Sequence, residues 1–208
     1  MSDPPIQRVE VPSGGVTRRD QFLMAMYKEM WGNINRHILV VWQSLGFLAG
    51  TFTLFALVAS KAVSLDLAST IIAGTTAWFL AHLVDANYWY GRNLAIIVNI
   101  ERQFLSASDL RLIHPYFKEH RGHSVLDHLA IQASLGIGLW TAAMVYHFGY
   151  RILPGIGSPW STLDPIRSAP YIASAIGLGL LSVFLKKQRN RYEQFLRDAP
   201  GAPLASGD

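Results

Sequence analysis

The stretch ILVVWQSLGFLAGTFTLFALVAS, residues 38–60, decides the fold class, because its 23 residues carry no charge. As a helix it would extend about 35 Å, enough to cross a hydrocarbon core of ~30 Å. Inside lipid a helix also satisfies its own backbone donors and acceptors, which an isolated strand cannot do. Working outward, three further uncharged runs appear at residues 67–84, 129–150 and 168–185. The second and fourth are 18 residues long and need their flanks to complete a crossing. A soluble helix keeps a polar face, and these four runs have none. The expected fold is therefore all-α: an integral membrane four-helix bundle made of two transmembrane hairpins, with cytoplasmic helical extensions after spans two and four.

The charges are swept into the segments between the runs, and their sign sets an orientation. Five Lys and Arg precede the first run (Arg8, Arg18, Arg19, Lys28, Arg36), and five lie between the second and third (Arg92, Arg102, Arg111, Lys118, Arg121). Five more follow the fourth (Lys186, Lys187, Arg189, Arg191, Arg197), against Lys61, Arg151 and Arg167 in the two remaining loops. The positive-inside rule then places both termini in the cytoplasm of a multi-pass protein of the inner (plasma) membrane. The net charge of +4 points to the lipid bilayer as partner and not to nucleic acid, because the cations sit at span ends.

Six segments follow. Residues 1–17 are rich in Pro, Gly and Ser and read as a tail. Residues 18–36 form an amphipathic interfacial helix, with Phe22, Met26, Met30 and Ile34 four apart. Its polar, mixed composition does not resemble a cleavable leader. Residues 37–106 form the first hairpin and a long extension, 107–128 a linker helix, 129–198 the second hairpin and a C-terminal helix, and 199–208 a tail. Between residues 68 and 106 only Gly74 and Gly91 weaken the helix, while residues 94–100 (LAIIVNI) stay apolar well beyond the span. That run needs cover. The N-terminal helix and residues 186–198 are the available covers, and Leu94, Ile97 and Ile100 are candidate contacts for a cytoplasmic protein partner.

The most informative polar constellation continues the second run. Asp85, Arg92 and Asn99 are spaced by seven and share a stripe with Trp89, while His82 lies three before Asp85 and Asn93 follows Arg92. This seam falls at the inner edge of the membrane, where it either handles an ion, a proton or a lipid head group, or serves as a structural network within an aromatic belt. Glu119, His123 and Asp127 are spaced by four and carry ligand chemistry. Arg121-Gly122 breaks a helix between them, however, and Ser124 with Asp127 reads as a capping box, so no metal is expected. His147 and Gln132 read as packing residues. Small residues four apart recur in every span, as Gly46 and Gly50, Ala73 and Ala77, Ser134 and Gly138, and Ala175 and Gly179. Such spacing lets helices approach closely and points to a compact bundle and a homo-oligomer.

There is no cysteine, which excludes disulfides and thiolate chemistry. P-loop, dinucleotide, HExxH and GxSxG signatures are absent too, so no cofactor is expected. Three functions remain: an oligomeric protein that forms or gates an ion path, a non-catalytic scaffold or accessory subunit, and, last, a lipid-acting enzyme.

Overall fold

A computed structural model describes residues 16–43, 45–106, 108–112, 125–156 and 164–198. All regular structure among them is helical. Helix α1 spans Arg18–Gln43 and α2 spans Leu45–Ala59. A tight turn leads into α3, Leu65–Phe104, 40 residues or about 60 Å long. The short α4 is Asp109–Leu112, followed by α5, Val125–His147, and α6, Ala169–Asp198. α5 runs into a π-helical turn, Phe148–Ile152, and a 3-10 turn, Leu153–Gly155. A second 3-10 turn, Pro165–Ser168, leads into α6.

The sequence accounts for the helix ends. Thr17 and Asp20 form a capping box: the Thr17 hydroxyl donates to Asp20 Oδ2 at 2.7 Å, and the Asp20 amide donates to Thr17 Oγ1. The Thr17 side chain and amide hold the Asp20 carboxyl below its ordinary range, so this cap is intact at neutral pH and is lost only as acid protonates Asp20. Ser64 caps α3 by accepting from the Leu67 amide at 3.2 Å. At the end of α2, Lys61 takes the left-handed conformation (φ 62°), and the amides of residues 60–63 close back onto the last carbonyls of the helix.

Three helices are long and apolar enough to cross a membrane: Leu65–Phe104, Asp127–Gly155 and Pro165–Asp198. In the stretch expected to be the first span, helix is described on both sides of Ser44. α1 runs on past residue 36 to Gln43, and α2 alone is 15 residues, about 22 Å, short of the hydrocarbon thickness. Ser44, between them, lies outside the described residues.

The arrangement is centred on α3, against which α1, α2, α5 and α6 all lie, α6 most extensively. Nearest the α2–α3 turn, Ile72 and Ala73 pack with Ala143, Met144 and Trp140 of α5, Tyr171 of α6, and Leu54 and Phe55 of α2. Further along, Phe79, Leu83 and Ala86 meet Leu129 of α5 and Phe47 of α2, with Phe47 and Phe79 stacked at 4.3 Å. At the far end, Ile34, Tyr27, Met30 and Trp31 of α1 close over Tyr90, Leu94 and Ile97. The long apolar extension of α3 is thus covered by α1, as the sequence required.

Two glycines set the closest approaches. A Cβ on Gly177 would lie 2.7 Å from the Ala77 Cβ, and one on Gly136 would lie 2.8 Å from the Phe79 ring. Ala73 is buried and Ala77 half-buried on this surface of α3, but the small residues used by α5 and α6 are not the expected pairs. Ser134, Gly138, Ala175 and Gly179 are exposed, as are Gly46 and Gly50, and a Cβ on any of these four glycines would meet nothing within 4 Å. The pairs flank the true contacts by two residues, which on a helix turns them about 160° away.

Candidate functional site

Two polar clusters cross the helices, one at the start of the long α3 and one that begins at its midpoint. At the α2–α3 turn, Asp66 lies in the first turn of α3, where the helix dipole favours an anion. His147 ends α5, and Arg151 follows four residues later in the π-helical turn, so both reach the same carboxylate. Arg151 Nε donates to Asp66 Oδ1 at 2.9 Å and Oδ2 at 3.1 Å, and Nη2 donates to Oδ2 at 2.5 Å. His147 Nε2 lies 2.9 Å from Asp66 Oδ1. A carboxylate so engaged only accepts, so Nε2 carries a proton, and Nδ1 faces the Tyr171 hydroxyl of α6 at 3.1 Å. The Asp66 side chain is 5% exposed and that of His147 0%. Nearby, Trp140 Nε1 donates to Ser174 Oγ at 3.1 Å, and Ser174 donates to the Pro170 carbonyl. With each group engaged, this cluster ties the start of α3 to the end of α5 and the start of α6.

Sequence patterning marked His147 only as a packing residue and did not single out Asp66. The signal was there: a carboxylate just inside one span and an arginine just beyond another, at ends that a hairpin topology brings together.

The seam expected from sequence runs from the middle of α3 through its second half. Asp85 Oδ1 accepts from Gln188 Nε2 of α6 at 2.6 Å, so Asp85 and Gln188 join α3 to α6. Arg92 does not reach Asp85; its guanidinium lies 5.4 Å from the Trp89 ring and 5.1 Å from the Phe195 ring of α6. His82 is half-buried and stacks on Trp78 at 5.6 Å. Asn93, one turn beyond Trp89, is buried, and its Nδ2 has no hydrogen-bond partner. Asn99 is half-buried, and its main-chain carbonyl accepts from Gln103 Nε2. Glu101 accepts from the Tyr27 hydroxyl at 3.1 Å, and Arg19 donates to Gln103, pinning α1 to α3. Gly91 admits Tyr192 of α6, whose hydroxyl would lie 3.2 Å from an added Cβ.

Ile97 and Ile100 are buried and Leu94 is half-buried. A partner would reach them only by displacing α1. Of the weak metal candidates, Glu119 and His123 lie outside the described residues, and Asp127 is exposed on the first turn of α5. No group of three or more His, Cys, Asp or Glu is placed to hold a metal among the described residues.

Beside the seam, α2 and α3 enclose an open apolar groove of about 500 Å³. Gly50, Thr51 and Leu54 line it from α2, and Ile71, Thr75, Trp78 and His82 from α3. On α3 this lining is one stripe with three- and four-residue steps, and the same stripe continues through Asp85, Trp89 and Arg92.

Comparisons with protein-family models, with curated proteins and with solved structures find no match to this chain. What the fold defines is a class: an all-helical protein with three helices long and apolar enough to cross a membrane.

Proposed function

We propose that the chain is a multi-pass membrane protein whose copies assemble around a gated ion path. In this reading α2 crosses with help from the end of α1, completing four spans, and both termini face the cytoplasm. One observation carries it. α5 and α6 each turn outward a face with the same small, small, hydroxyl sequence of side chains. On α5 it is Ser134, Gly138 and Thr141; on α6 it is Ala175, Gly179 and Ser182, all exposed. Lipid alone gives no reason for such faces, whereas close contact between helices does. The Thr141 and Ser182 hydroxyls bond back to carbonyls of their own helices at 2.8 Å and keep their lone pairs facing outward.

A path through a single protomer is disfavoured, because apolar layers around Ile72 and Phe79 fill the space between α2, α3 and α5. A path between copies, walled by hydroxyls, is not blocked by them. The Asp85–Gln188 contact and the stacked Arg92 then sit where α1 and α6 meet α3, positioned to couple the cap to the spans. The scaffold reading loses ground, since its strongest support was an uncovered strip at Leu94, Ile97 and Ile100; α1 packs over Leu94 and Ile97, and Ile100 is buried.

The test is ion flux in liposomes containing the purified protein, beside Asp85→Asn, Arg92→Ala and Thr141→Leu. The expected outcome is a leak that Thr141→Leu lowers at least about tenfold, a change of ~1.4 kcal/mol in barrier, and whose gating the seam variants alter. Liposomes that stay tight across pH, voltage and ion gradients would sink the proposal.

A further inference from the structure

We infer that the groove between α2 and α3 binds one anionic phospholipid, with an acyl chain along the groove and the phosphate at Arg92. The inference rests on the chain spanning a membrane, but not on the ion path. From Ile71 to His82 the lining extends along α3 for about 16 Å, roughly one leaflet of a ~30 Å hydrocarbon core. Its walls are apolar except for Thr51, Thr75, the Trp78 indole N–H and, at the end nearest Asp85, His82. The Thr51 and Thr75 hydroxyls are committed to the Phe47 and Ile71 carbonyls at 3.0 Å and 2.7 Å, so the stretch short of Trp78 asks for no water and a hydrocarbon chain satisfies it. Its volume of about 500 Å³ lies within the range of small-ligand sites.

The occupant's charge follows from what lies beyond the groove. The same stripe of α3 passes from His82 to Trp89 and Arg92, both exposed, at a depth where a head group would lie. The Asp85–Gln188 bond and the Gly91–Tyr192 contact bring the last turns of α6 to this level. Those turns carry Lys186, Lys187 and Arg191, all exposed, while Arg36 of α1 is paired with Glu29 at 3.6 Å. Of the acids, Glu193 pairs with Arg189 at 2.8 Å, and Asp85 is held by Gln188 on the α6 side. The Arg92 guanidinium, fixed between two rings, offers its edge to a phosphate. An apolar groove whose stripe leads to an exposed, ring-stacked arginine is complementary to a phospholipid of net negative charge, and not to a zwitterionic one.

The experiment places the full chain in nanodiscs of equal phosphatidylglycerol and phosphatidylcholine, extracts it gently, and counts retained lipid by native mass spectrometry. Wild type should keep phosphatidylglycerol over phosphatidylcholine by at least about fivefold. Arg92→Gln should remove most of that preference while leaving retention of the neutral lipid unchanged. Gly50→Phe, at an exposed position where an added side chain meets open space, should lower retention of both. Equal retention of the two lipids by wild type overturns the inference, as does phosphatidylglycerol retention that neither variant changes. If Gly50→Phe changes the oligomeric mass with lipid retention intact, a second copy fills the groove and the inference falls. Flux is not read in this experiment, so a failed ion path and an empty groove are separate results.

Discussion

Asp66 is the hub of the polar cluster at the α2–α3 turn. It is buried, and it takes three donor contacts from Arg151 and one from His147. Removing one member of a fully buried ion pair costs ~3–5 kcal/mol, but the Arg151 side chain is 35% exposed and regains some hydration. Asp66→Ala should therefore destabilise the fold by about 2–3 kcal/mol in denaturant titration, below that full range because water screens Arg151. Asp66→Leu combined with Arg151→Met should recover part of the loss, because no buried charge is then left alone. A loss under about 0.5 kcal/mol in the single variant would show that the cluster is ornamental. This cluster was the least legible part of the chain. Its members are 81 and 85 residues apart, and nothing local to His147 announces a carboxylate. The seam at Asp85 and Arg92 was legible because its stripe lies within one helix. Its partners Gln188 and Phe195 were not, because they depend on how α6 crosses α3.

At the scale of the helices, the register of small residues decides which face packs. The four-residue repeats in α5 and α6 are real, but Gly136 and Gly177 make the close contacts while the repeats face outward. Periodicity shows that a helix has a small face. It does not say which of two small faces its neighbour takes. Gly177→Leu should drive α6 from Ala77 and cost about 1–3 kcal/mol by overpacking. Gly179→Leu, two residues on, should leave protomer stability within about 0.5 kcal/mol. Thermal unfolding in detergent compares them directly, and equal losses would mean that α6 sits in another register. The long reach of α3 was legible, since little in residues 68–106 interrupts a helix.

For the whole molecule, α3 is the common wall, and stability should fall in two tiers. Around Ile72 and Phe79, residues of three or four helices interlock, and the Asp66 cluster closes that end. At the other end α1 is held by one apolar cluster, the Tyr27–Glu101 bond and the Arg19–Gln103 contact. α1 should therefore open before the spans do. Ile34→Asp places a charge in the buried seat of Ile34, so hydrogen exchange across α1 should quicken at least about tenfold while α5 and α6 keep their protection. Uniform loss across all helices would show a single cooperative unit instead.

The separation between Asp66 and its cation also has a consequence in time. At ~5–20 residues per second, a ribosome adds the 85 residues from Asp66 to Arg151 in roughly 4–17 s. α3 is complete after the first 38 of those residues, and for the rest of that interval the carboxylate in its first turn lacks both of its partners. Only when His147 and Arg151 have been made can the start of α3 be clasped to the end of α5, so the fastening that joins these helices closes late in synthesis.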